Sequence, residues 1–145
     1  MRRKSRNLLF IFTGLALCSF VIIYLVWNKP HREVKGADSV ETDAISLYNS
    51  FTSDAAKAKA DFLDKVIAVS GLVQAVSVNQ QQQQIVLLKT SVPGASVNCT
   101  MEQNRNKIKQ GDKVVLKGIC SGYIGGDAEM GIPGDVFVIR CYLSM

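Results

Sequence analysis

The sequence predicts a mainly β domain: a helical N-terminal lead-in feeding a small five-stranded Greek-key barrel, preceded by one transmembrane helix. Three observations carry that reading. A run of twenty residues without a charge, Leu8 to Trp27, lies near the start of the chain. Asp38 to Asp64 follows with helical periodicity and cap residues ahead of apolar stripes. From Val66 onward the apolar residues alternate instead, in about five short runs separated by Gly-, Pro- and amide-rich turns. A chain of 145 residues that is 48% hydrophobic and 20% charged builds one modest core. That excludes a multidomain enzyme, a low-complexity tail and a disulfide-dense miniprotein.

Residues 1–7 form a basic tail, with Arg2, Arg3, Lys4 and Arg6 and no acid. At 1.5 Å per residue the uncharged run makes roughly 30 Å of helix, the thickness of a bilayer core. Lys29, Arg32 and Lys35 follow it, diluted by Glu33. The tighter positive cluster stays cytoplasmic, so the C-terminal bulk is expected outside the cytoplasm, in the periplasm of a Gram-negative cell. Tyr24 and Trp27 fall where an outer aromatic belt sits. A cleaved signal peptide has a shorter apolar run closed by small residues, and no such pair closes this one. Leu15-Ala16-Leu17-Cys18 is similar to a lipoprotein box, but Leu17 stands where a small residue belongs and apolar residues continue beyond Cys18. The expectation is an uncleaved, single-pass signal-anchor over 8–27. Net charge +5 belongs to this end: without its four basic residues, 13 basic residues face 12 acidic ones.

Residues 28–37 hold Pro30, Gly36 and mixed charge and read as a linker. His31, the sole histidine, is a solvated residue of that linker. Within the lead-in over 38–64, Asp38 or Thr42 caps a first helix whose apolar face is Ile45, Leu47, Tyr48 and Phe51. Ser53-Asp54 caps a second, alanine-rich helix with Ala55, Ala58 and Phe62 on one stripe. The first strand, Val66 to Val78, has Ile67, Val69, Val73 and Ala75 on odd positions and then Val76 and Val78 on even ones. Such a parity switch marks a bulge or sharp bend, with Gly71 as a flexible point. Asn79 to Gln84 is a polar turn before QIVLLKT, and Val92-Pro93-Gly94 turns the chain into ASVNCTM. Asn104 to Gln110 suits a short helix or a turn, and strands over Lys113–Ile124 and Asp135–Leu143 complete the chain.

Five β-segments, the first long and bent, with a short helical piece between the third and fourth, describe an OB-fold: a small, partly open Greek-key barrel. Closure removes the adhesive edges that five short amphipathic strands would otherwise expose. The run Tyr48-x-x-Phe51, Ala55 to Ala60 and Phe62-Leu63-Asp64-Lys65-Val66-Ile67-x-Val69-x-Gly71 resembles the tRNA_anti-like group of OB-fold domains. Also similar are Val97-x-Cys99, Lys107 to Gly111, Lys117-Gly118-x-Cys120-x-Gly122-Tyr123 and Val136 to Cys141. The resemblance covers roughly residues 40–145 and departs at Gly125 to Gly134, which lengthens the last hairpin. It implies the fold over 38–145. Its name implies nucleic-acid binding, by analogy alone.

Chemistry-bearing residues are few. With no histidine in the domain, Ser-His-Asp and Cys-His sets are absent. No phosphate-binding Gly-rich loop, HExxH or CxxC occurs. The expectation is a protein that is not an enzyme, with no cofactor, no metal and no small-molecule substrate. Cys99, Cys120 and Cys141 share parity with the apolar residues of three strands, so all three are expected to point inward. They are either buried thiols or include one disulfide, Cys120–Cys141, across the last two strands. For this parity Val97 and Met101 join Cys99, Val114, Leu116 and Ile124 join Cys120, and Phe137, Ile139 and Leu143 join Cys141.

Arg105, Lys107, Lys109, Lys113 and Lys117 form a basic cluster, either a solvated face or a patch for an anionic partner such as headgroups or an acidic protein. Tyr123, exposed by parity beside the glycine-rich hairpin, is a candidate loop contact. Between Phe62 and Tyr123 there is no aromatic residue, although an OB-fold that binds single strands stacks bases on rings. The expected function is therefore a membrane-anchored, extracytoplasmic OB-fold binding or interaction module without catalytic activity. The membrane is the expected partner, with a protein or anionic partner besides, and nucleic acid is not expected; the alternative is an oligonucleotide-binding OB-fold domain.

Overall fold

The computed structural model describes residues 17–24, 34, 36–103, 107–127 and 129–144. The chain divides into two units, Met1–Glu33 and Val34–Met145. In the first, residues 17–24 are helical (α1). Among the described residues no helix is long and apolar enough to cross a membrane. The expected span over 8–27 lies outside the described residues except for α1, so a transmembrane helix finds no support in the structure.

The second unit runs β1 (Val40–Asp43), α2 (Ala44–Ser53), α3 (Ala55–Phe62), β2 (Val66–Val78), β3 (Gln84–Lys89), β4 (Ser96–Met101), β5 (Lys113–Ile124) and β6 (Asp135–Leu143). Strands β2 to β6 close into a barrel. β2 is antiparallel to both β3 and β5, β3 to β4 and β5 to β6, while β4 runs parallel to β6. The length of β2 makes closure feasible: Val66–Leu72 pairs with β5, and the strand from Val73 onward pairs with β3. Between these halves the register shifts at Val73/Ala75, where the alternation of apolar residues changes parity.

β1 departs from the sequence reading, which placed residues 38–43 in a helical lead-in. Its four residues lie parallel to the first half of β2, from Val40 opposite Ile67 to Asp43 opposite Ser70. β3 joins β2 only from Val73 onward, so that flank of the first half lacks a ladder partner, and β1 supplies the missing hydrogen bonds. The helix cap moves with it. Asp43, not Asp38 or Thr42, accepts from the N–H groups of Ile45 (3.0 Å) and Ser46 (2.9 Å). Asp54 caps α3 through the Lys57 N–H at 3.0 Å, as its position after Ser53 predicts.

Leu47, Tyr48 and Phe51 of α2 join the barrel interior in one core cluster, whereas Ile45 is exposed. Across the barrel wall Val86, Cys99, Val138 and Cys120 stand opposite one another in successive strands, all fully buried. Residues 107–112 make a turn rather than a helix, closed where the Lys109 N–H donates to Asp112 at 2.8 Å.

Two further expectations change. The linker over 28–37 gives way at Val34, which is buried, and the Lys117 ammonium donates to the Ala37 carbonyl, so the folded unit begins before residue 38. Strand β6 does not keep one parity. Val136 and Val138 face inward, the register slips, Arg140 adopts φ 54°, and Cys141 returns to the interior. Phe137, Ile139 and Leu143 therefore leave the core. On β5 a second slip, between Cys120 and Gly122, likewise turns Ile124 out to solvent.

Candidate ligand face of the barrel

The outward side of β3, β4 and β6 is one surface because register aligns its side chains. Ala75, Leu87, Asn98 and Phe137 form a row across β2, β3, β4 and β6. Ser77, Ile85 and Thr100 form the next. Leu87, Asn98, Phe137, Ile85 and Thr100 are all half-buried, as expected of side chains lying on a sheet rather than under it. The surface joins aliphatic area, one aromatic ring and an amide. At one rim Asp135 accepts from the Ser96 N–H (2.7 Å) and hydroxyl (3.0 Å). At the other end of these parallel strands, Arg140 of β6 and Glu102, just beyond β4, form an ion pair at 3.5 Å. Unbroken alternation along β6 would place Phe137 inside with Cys141; the register slip after Val138 leaves it on the outward face. The missed signal is the Val136–Val138 pair, which competes with Phe137–Ile139 for the inward parity.

Lysines approach this face from one side. Lys89 continues the outward alternation of Ile85 and Leu87. It also lines a hollow of about 440 Å³ with Lys113, Leu72 and Asp43. Lys113 lines a second hollow of about 520 Å³ together with Lys107. The acids beside them have local roles: Asp43 caps α2 and Asp112 holds the 109–112 turn. A hydrogen bond from Ser46 lowers the Asp43 carboxyl further below its usual value, so it stays ionised. Of the predicted basic cluster, Lys107 and Lys113 come together. Lys109 is exposed on the turn, Lys117 is engaged with Ala37, and Arg105 lies outside the described residues.

Tyr123 is not the exposed loop contact expected from parity. Its ring stacks on Phe51 at 6.2 Å and meets Tyr48 edge-on at 6.0 Å. Burial raises the Tyr48 hydroxyl above its usual value, and Tyr123 and Asp135 add to the effect. The hairpin after it is fastened to the same ring: a Cβ at Gly134 would lie 2.5 Å from the Tyr123 oxygen. Asp127 closes the hairpin tip by accepting from the Glu129 and Met130 N–H groups.

The three barrel cysteines are free and fully buried, and Cys18 is exposed. Cys120 is unbonded to Cys141. The Cys141 thiol instead donates to the Val138 carbonyl at 3.5 Å, and the Cys99 thiol and burial hold it well above its usual value. Burial pushes the Cys120 thiol up as well. Among the described residues no group of three or more His, Cys, Asp or Glu is placed to hold a metal ion.

Strand order, the bent first strand and the closed wall define the class: a five-stranded barrel of the OB type. The model of the tRNA_anti-like family matches residues 1–129, and the chain belongs to that family. Strand β6 lies beyond the matched residues. No curated protein matches the chain. Among solved structures, a chain described as an aspartyl-tRNA synthetase from Leishmania major Friedlin is similar at 8% identity and a TM-score of 0.43. The match covers 79% of this chain and 22% of that one, so this chain spans about a fifth of its length.

Proposed function

We propose that the domain is a non-catalytic binding module for single-stranded oligonucleotides, which lie along the outward faces of β3, β4 and β6. One observation carries the reading: Lys113 lines one hollow with Lys89 and a second with Lys107, and Lys89 continues the outward alternation of Leu87, which stands in the row containing Phe137. A strand laid this way has phosphates beside ammonium groups and a base on a ring, the two contacts that single-strand modules combine. Membership of a family named for tRNA supports the same ligand class. The non-catalytic part rests on Asp43, Asp54, Asp112, Asp127, Asp135 and Glu102, which are engaged in caps, turns and an ion pair, and on the lack of a histidine in 34–145.

Fluorescence anisotropy with labelled single-stranded RNA and DNA tests this. Binding should be salt-sensitive, and Phe137→Ala should weaken it by about one stacking contact, roughly 1–3 kcal/mol. Lys89→Glu with Lys113→Glu should weaken it further. No saturable binding at low salt, or full binding by both variants, would overturn the reading.

The Leu8–Trp27 run favours a second reading: a membrane-anchored, extracytoplasmic interaction module whose ligand is a protein or another anionic partner. Membrane fractionation combined with protease accessibility in intact cells separates the two. A barrel cleaved from outside supports the second reading. A soluble or inward-facing barrel removes it.

A further inference from the structure

Lysines and exposed aliphatic side chains are interleaved over three adjoining hollows of the barrel surface. β1 leaves the flank of β2 at Ser70 and β3 joins that flank at Val73, so among the described residues no strand stands there beside Gly71 and Leu72. This notch is the hollow of about 440 Å³, in which Leu72 and Ile45 lie exposed with Lys89 and Lys113. Leu72 and Lys113 are direct ladder partners, so they share the outward face of the wall. Lys89 and Leu72 also line a neighbouring hollow of about 490 Å³, where Val92 is exposed. On the other side, Lys113 lines the hollow of about 520 Å³ with Lys107, Val115 and Leu143. Val115 follows Lys113 by two residues on the same face of β5, and the Ser144 N–H donates to its carbonyl at 2.8 Å, which brings Leu143 alongside.

These aliphatic side chains are 37–47% exposed. Single exposed apolar residues need no account, but a contiguous set marks an interaction surface. A nucleic-acid strand uses the ammonium groups and leaves the aliphatics unpartnered. The carboxylates lining the hollows are Asp43 and Asp112, and backbone N–H groups of Ile45, Ser46 and Lys109 hold them. Lys89, Lys107, Lys113 and the exposed Lys109 outnumber them, so the patch is cationic. Protein interfaces are anchored by Trp, Tyr and Arg and are depleted in Lys, whereas this patch holds none of those anchors. Aliphatics set among ammonium groups on long apolar stems are instead the composition of a surface that lies on an anionic bilayer. We propose that this face docks the domain on a bilayer rich in anionic lipid. Ile45, Leu72, Val92, Val115 and Leu143 enter the boundary between headgroups and acyl chains, and the lysines meet lipid phosphates. The docking requires neither strand binding nor a span over 8–27. Where a strand does bind, bilayer and strand compete for Lys89, Lys107 and Lys113.

The test uses the full chain in lipid nanodiscs of phosphatidylcholine alone or mixed with phosphatidylglycerol. Lysines are acetylated briefly and their reactivities mapped by mass spectrometry. Residues 8–27 are present in both preparations, so their effect cancels. Lys57 and Lys59 of α3, outside the three hollows, are the internal reference. In the anionic discs Lys89, Lys107 and Lys113 should lose reactivity relative to that reference by roughly fivefold or more, the factor one lysine contributes at an anionic surface. High salt should restore it. Leu72→Glu combined with Val115→Glu, both at exposed positions, should abolish the protection with the circular dichroism spectrum unchanged. Equal reactivity in the two discs, or equal protection of Lys57 and Lys59, overturns the proposal. So does protection reproduced in neutral micelles by inorganic phosphate or by soluble polyglutamate, which would assign the patch to a free anion or an acidic protein. The wild-type map needs no variant, so a poorly folding double variant does not blunt it. It also contains no oligonucleotide, so failure of strand binding leaves its outcome unaffected.

Discussion

Substituting alanine for Gly118 tests the packing of the barrel seam directly. The residue lies on the inner side of β5 opposite Ile67. An added Cβ would meet the Cys141 sulfur at 2.6 Å, Val138 Cγ1 at 2.8 Å and the Ile139 carbonyl at 2.9 Å. Ordinary van der Waals contact begins at 3.4 Å, so each neighbour must yield by about 0.5–0.8 Å, and one of them is backbone. Overpacking a filled core by a methyl group costs about 1–3 kcal/mol, and three clashes place this site in the upper part of that range. Replacing glycine within a strand returns roughly 0.5 kcal/mol of backbone entropy. The net expectation is about 2 kcal/mol, equivalent to roughly 8–16 °C in Tm for a domain near 100 residues. Urea unfolding of the reduced protein measures it, with the m-value unchanged. Cys141→Ala removes the nearest clash and should relieve part of the cost, a coupling of about 1 kcal/mol in a double-mutant cycle. Full rescue is not expected, because Val138 and the carbonyl remain. A Gly118→Ala protein within about 0.5 kcal/mol of wild type, or strictly additive substitutions, would refute the reasoning.

Asp43→Ala removes the cap of α2 and should cost about 1 kcal/mol in thermal or urea unfolding. Because the folded Asp43 value lies below the ordinary 3.8, its contribution is present above pH 3.8 and is lost as acid titrates through the lower folded value. An acid unfolding series should therefore show the variant converging on wild type. Tyr48 has the opposite sign: its hydroxyl is raised above 10.0, so its contribution is intact below pH 10.0 and disappears as pH climbs through the folded value. Tyr48→Phe should flatten that alkaline loss when unfolding is followed by circular dichroism. For oligonucleotide binding, three lysines neutralising one phosphate each give a log–log salt slope near about −2. A slope near zero in the anisotropy titration would remove the lysine series from the interface.

Much of the barrel is legible because its strands obey one rule, alternation, and its turns are punctuated. Asn79 ends Val66–Val78, Gln110-Gly111 and Gly125 bracket Lys113–Ile124, and Gly134 precedes Asp135–Leu143, and the structure stops or starts the strands there. The parity switch in β2 is visible in the valines themselves. What alternation cannot show is a slip at a position whose neighbours are apolar on both parities. In β6, Val136-Phe137-Val138-Ile139 supports either face, and backbone geometry at Arg140 makes the choice. Phe137 and Tyr123 were both misplaced for this kind of reason. β1 is illegible for a different one: four residues, exposed or half-exposed, acquire strand geometry only from the open flank of β2. Lys89 was within reach, since it closes an alternating strand, but only tertiary structure brings it beside Lys113.

The distribution of aromatic rings limits what the outward face can do. Residues 34–145 hold six, and Tyr48, Phe51, Phe62 and Tyr123 all pack in or against the core. The segment between β4 and β5 makes no helix over 107–112, and α2 contributes three large side chains to the interior. That leaves Phe137 as the ring of the outward row and Tyr142 half-buried beside Lys117 on β6. One stack contributes roughly 1–3 kcal/mol, whereas micromolar binding requires about 8 kcal/mol in all. The balance must come from phosphate contacts and from hydrogen bonds to groups such as Asn98 and Thr100. On the proposed reading, a face of this composition should bind a single strand weakly and in a salt-dependent manner, with little preference between bases, because the ring accepts any of them. Nanomolar, sequence-selective binding would mean that the recognition surface lies elsewhere on the chain.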